Sequence, residues 1–119
     1  MKPASAKQKG RILQQLLRDK ILAHFPTLEQ DDVKSTSMGA GGEDVQLSPA
    51  ARKLLPVQFE CKNKASYSVY KDYQQATTHG NYEPVLCIKQ NHSKPLIVID
   101  LDYYLRIMRT LHDKASSNS

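Results

Sequence analysis

The sequence predicts an α/β domain, with a central mixed β-sheet of about five strands flanked by helices. Three observations carry this. An amphipathic helical run stands near the start of the chain. Short alternating or β-branched segments follow, interspersed with helical ones. Proline and glycine breaks separate the segments at close intervals. The 119 residues suit one compact domain. Residues 1–8 read as a disordered basic tail and 114–119 as a second tail, leaving 9–113 as the domain.

From Gly10 to Phe25 the apolar residues Ile12, Leu13, Leu16, Leu17, Ile21, Leu22 and Phe25 recur at helical spacing. Pro26 ends that helix. Residues 31–38, DDVKSTSM, predict a strand, and Gly39-Ala40-Gly41-Gly42 a turn. Residues 43–47 predict the returning strand. Ser48-Pro49 reads as an N-cap followed by proline at the first helical position, opening a short helix over 50–55. Residues 57–62 alternate, with Val57, Phe59 and Cys61 on a packing face and Gln58, Glu60 and Lys62 on a polar face. A helix is expected over 66–79, stopped at Gly80-Asn81. Strands 85–89 and 96–101 form a hairpin around the short loop 90–94. Asp100 or Asp102 caps a last helix over 103–112.

Composition narrows the function classes. A net charge of +5 fits a nucleic acid or another anionic surface. No stretch is long and apolar enough to span a bilayer, and the basic start has no apolar run behind it. Cys61 and Cys87 fall inside strands as small hydrophobes, so a reducing, cytoplasmic compartment is expected. His24, His79, His92 and His112 are scattered without zinc-site spacing. The glycines at 39–42 lack the G-x-x-x-x-G-K-[ST] pattern, so no nucleotide cofactor is expected.

Glu60 and Lys62 stand two apart on a strand and therefore share a face. The plain reading of such a pair is a surface ion pair, which is worth little. The sharper reading is phosphate hydrolysis. A carboxylate binds a hard cation, and an amine beside it orients water or offsets charge developing on phosphorus. A second carboxylate is needed. Asp44 supplies it if 43–47 pairs with 57–62; alone, it reads as a turn residue. Glu43 then points to the other face.

Asp44, a spacer of fifteen residues and Glu60-Cys61-Lys62 on a strand resemble the PD-(D/E)XK nuclease superfamily. Glu43 stands where that motif often has proline. The resemblance is strongest to archaeal-type Holliday junction resolvases and related phage and bacterial nucleases. Lys9-Gly10-Arg11 matches the Lys-Gly pair that opens their first helix, and Ser35 to Gly42 matches their serine-rich strand end and small-residue loop. It spans roughly residues 9–100. It implies a restriction-endonuclease-like core, Mg²⁺ (with Mn²⁺ substituting) held by Asp44 and Glu60, and Lys62 positioning the attacking water. Gln14 stands where the family usually has a metal-binding Glu, and is expected to assist. Expected DNA contacts are Lys9, Arg11, Lys34, Ser37, Lys64 and Gln74, within a basic set that also includes Lys7, Arg52, Lys53 and Lys71.

The implied function is an endonuclease acting on branched DNA as a homodimer, the last helix being a candidate dimer face. A repair or restriction-type duplex nuclease and a non-catalytic DNA-binding module stay open as alternatives. Gln14 is the feature that supports the latter.

Overall fold

Val57–Asn63 becomes the central strand because both of its faces are covered. In the computed structural model, which describes residues 5–36, 43–63 and 68–117, the order is α1 (Ala6–His24), β1 (Val33–Ser35), β2 (Val45–Leu47), α2 (Pro49–Leu54), β3 (Val57–Asn63), α3 (Val69–Thr77), β4 (Glu83–Lys89), β5 (Leu96–Val98) and α4 (Leu101–Ser117). The strands line up as β1-β2-β3-β4-β5. β3 and β4 run parallel, while the other three pairs are antiparallel. A parallel pair needs a crossover, and α3 provides it. The chain is thus an α/β domain with a five-stranded mixed sheet and helices on both faces.

Register fixes what each face carries. Val45 is opposite Phe59, and Phe59 and Cys61 stand beside Val85 and Cys87. These residues form one core with Leu13 and Ile21 of α1. The other face of β3 carries Gln58, Glu60 and Lys62 and meets α3, since Gln58 Nε2 donates to the Ala76 carbonyl at 2.9 Å. The expected polar face is therefore not open: Gln58 is 0% and Glu60 3% exposed.

Several boundaries move for identifiable reasons. Ser5 and Gln8 form a capping box, each side chain accepting from the other's amide, so α1 starts at Ala6 within the expected tail. Lys9-Gly10-Arg11 thus lies inside the helix and does not open it. Asp31 and Asp32 belong to a 3₁₀ turn (Gln30–Asp32), so β1 is shorter than expected. Ser48 Oγ caps α2 by accepting from Ala51 N and donates to Asp32 Oδ1 at 2.6 Å. Asp100 Oδ2 accepts from Tyr103 N at 3.0 Å, which selects Asp100 as the cap of α4. That helix continues to Ser117, through most of the expected second tail. Ser37, the glycine turn 39–42, Lys64 and the start of the expected helix at 66 lie outside the described residues. Among the described residues, no helix is long and apolar enough to cross a membrane.

Candidate active site

The site begins with backbone pairing. Asp44 N donates to Phe59 O at 3.2 Å just ahead of β2, and the Val45–Phe59 register places Asp44 opposite Glu60. Residues opposite each other across antiparallel strands share a sheet face. Asp44 is fixed further by its own contacts. Its Oδ2 accepts from Cys61 N at 2.7 Å, and its carbonyl accepts from Thr36 N and Thr36 Oγ1.

Glu60 is held through both of its carboxylate oxygens. Oε1 is 3.4 Å from Lys62 Nζ, and Oε2 accepts a hydrogen bond from His79 Nε2. Burial raises the Asp44 carboxyl above the ordinary 3.8. The Cys61 amide pulls it back, the Glu60 charge raises it again, and His79 and Lys62 lower it. The Asp44 carboxyl therefore feels the charges of Glu60, His79 and Lys62 around it.

His79 is the residue that sequence reasoning passed over. It follows α3, and a parallel β3–β4 crossover has to bring that turn back over the Glu60 face. Gln58 pins the turn. Its Nε2 donates to Ala76 O and Gly80 O, and its Oε1 accepts from Tyr82 N. Gly80 fits there because a Cβ would lie 3.1 Å from that Oε1. The usable signal in the sequence was a histidine at the end of a crossover helix, directly before its glycine stop.

The other expected residues disperse. Gln14 is 3% exposed, with its Oε1 unpartnered among the described residues. It sits on α1, whose neighbouring Leu13 packs with Phe59 and Cys61 on the other face of β3. Gln74 is exposed on α3, and the α3-side group reaching Glu60 is His79. Lys9 and Arg11 lie near the N-terminus of α1, where the Lys9 carbonyl accepts from Asn63 Nδ2 at 3.5 Å. Lys34 is exposed and pairs with Gln46, so it shares the sheet face of Asp44 and Glu60. Arg52 is taken up structurally. It pairs with Glu43, donates to Val57 O and stacks 4.1 Å over the Tyr82 ring. Cys61 and Cys87 are buried free thiols; the Cys87 hydrogen bond, then burial, pushes Cys61 up.

No family model, curated protein or solved structure matches this chain. The site therefore stands on its own geometry. Among the described residues, no three His, Cys, Asp or Glu side chains form a ready metal-binding group. What the fold brings together is the Asp44–Glu60 cross-strand pair, with Lys62 and His79 on Glu60.

Proposed function

We propose that this chain is a divalent-metal-dependent endonuclease of the PD-(D/E)XK kind, acting on branched DNA. The observation that carries the reading is the register: Asp44 faces Glu60 across β2 and β3, with Lys62 Nζ 3.4 Å from Glu60 Oε1. The charge distribution fits a cation. Burial and the neighbouring Glu60 both disfavour the ionised Asp44, and a divalent ion held by the two carboxylates relieves that cost. In this reading α1 to β4, with the short α2 inserted between β2 and β3, is a restriction-endonuclease-like αβββαβ core.

Asp44 and Glu60 are the oxygen donors for Mg²⁺ or Mn²⁺. The bound ion would supply Lewis-acid polarisation of the phosphate and a lowered pKa for water. Lys62 orients the attacking water and offsets the charge that gathers on the phosphate oxygens. α3 packs on β3 and β4, and exposed Lys34 of β1 shares the sheet face of Asp44 and Glu60, where it can meet a phosphate. Cutting two strands symmetrically calls for a twofold dimer, and the apolar side of α4 is the proposed contact.

The test is cleavage of junction, flap and linear duplex DNA with Mg²⁺ or Mn²⁺. The expected result is preferential junction cleavage, lost by about 10²–10³-fold or more in Glu60→Ala and in Lys62→Ala. Cleavage that survives both substitutions overturns the assignment. Preferential cutting of linear duplex favours the repair or restriction type. Tight junction binding without cutting under either metal favours a non-catalytic DNA-binding module.

A further inference from the structure

Glu60 has two oxygens, and a carboxylate left to rotate on a strand presents either or both. Here one of them is already assigned. His79 Nε2 takes Oε2, leaving Oε1 turned toward Lys62. The contact is sheltered, with side-chain exposure of 10% for His79 and 4% for Glu60. Nor is His79 loosely placed. The turn that carries it is tied to β3 by the three hydrogen bonds of Gln58, two residues before Glu60 on the same strand face. β3 thus anchors the turn with one side chain and receives its histidine with the next on that face.

We infer that His79 is a positioning residue that clamps Glu60, so that the carboxylate offers a single oxygen, Oε1, to the metal beside Lys62. The inference rests on the metal-site reading above. A ligating carboxylate gains basicity and a fixed direction from an outer hydrogen-bond partner, and loss of such a partner weakens metal affinity by about 10–100-fold. A purely structural Glu60–His79 bond would instead show in folding stability and leave metal affinity alone.

The experiment is calorimetric titration of the full chain with Mn²⁺ in the absence of DNA, alongside pulsed EPR of the bound Mn²⁺. His79→Ala should weaken Mn²⁺ binding by about 10–100-fold with the circular dichroism spectrum unchanged. His79→Gln, whose amide can donate to Oε2, should recover most of the affinity, and the shorter His79→Asn should not. In junction cleavage, the Mn²⁺ concentration giving half-maximal rate should rise in parallel while the KM for DNA stays constant. Equal Mn²⁺ affinity in wild type and His79→Ala overturns the clamp. If His79→Ala does not fold, equal affinity in the Gln and Asn variants overturns it. A histidine ¹⁴N coupling to wild-type Mn²⁺ that disappears in His79→Gln also overturns it, by making His79 a ligand. Mn²⁺ binding with the expected variant pattern but no cleavage leaves the clamp standing and removes the nuclease reading. No Mn²⁺ binding by the wild type removes both.

Discussion

Asp44 is the residue at which stability and the proposed chemistry pull apart. Burial raises its carboxyl above the ordinary value, with Glu60 adding to the shift. A carboxyl raised in the folded state favours the fold while neutral. That contribution is present below the unfolded value and is lost as pH rises through the folded one. At pH 7 without metal, ionised Asp44 therefore costs stability. Asp44→Asn, which keeps an oxygen for the Cys61 amide, should raise the Tm at pH 7. The gain should fade below about pH 3.8, where the wild-type carboxyl is already neutral. Mn²⁺ should reverse the order by stabilising the wild type, by about 2.7 kcal/mol at a hundredfold excess over Kd, and not the variant. Thermal melts at two pH values with and without Mn²⁺ check all three points. Lys34 belongs to the same face but to a different task. Lys34→Ala should weaken DNA binding across sequences and make the salt dependence shallower by about 0.9 in slope. Fluorescence anisotropy over a salt series reads this directly.

Among the elements, the connection from α3 to β4 governs the site more than either strand edge does. Its carbonyls and amide find partners in Gln58, a side chain that the alternation placed on a polar face and that burial converted into an internal bracket. Gln58→Leu keeps roughly the same volume but leaves the Gly80 carbonyl and the Tyr82 amide without that partner. Both groups lie on exposed residues where water can replace part of the lost bond, so a loss of about 1–2 kcal/mol, toward the lower end of the cost of an unsatisfied group, is expected in urea unfolding. Because His79 rides on this connection, the variant should also weaken Mn²⁺ binding. The short elements at the other edge are tied by different means. Ser48 links the α2 cap to Asp32, and Arg52 is bound up with Glu43, Val57 and Tyr82. These bonds keep β2 in register against β3, which is what holds Asp44 opposite Glu60.

At the scale of the whole molecule, α4 has more apolar surface than the body covers. Tyr103 and Ile107 turn toward Leu54, Leu55 and Pro56, while Leu101, Tyr104, Leu105, Met108 and Leu111 stay exposed. Leu101, Tyr104, Met108 and Leu111 follow a three-four-three spacing, which suits a second helix packed alongside. A second copy of the chain is the proposed cover. Light scattering should give twice the 13.4 kDa chain mass for the wild type and 13.4 kDa for Met108→Glu. The charge placed in that seam should leave the circular dichroism spectrum unchanged, because Met108 is 40% exposed in the single chain. A monomeric wild type would remove the dimer proposal and leave the active-site reading untouched.

The sequence by itself determined the element order, the strand phase of Glu60 and Lys62, the cap at Ser48 and the C-terminal ends of α1 and α2 to within a residue. Those follow from local rules: a two-residue strand period, a 3.6-residue helix period, and fixed demands on caps and breaks. The Asp44 hairpin was inferred from spacing, and pairing with Phe59 gave it a register. Tertiary structure alone decided that the polar face of β3 is buried, that Gln14 is buried on α1, and that Arg52 is bound internally. It alone brought His79 to Glu60, nineteen positions away in sequence. The reason is physical. Periodicity says which residues share a face, but only packing says what covers that face. A crossover helix can therefore deliver a side chain that no local pattern marks.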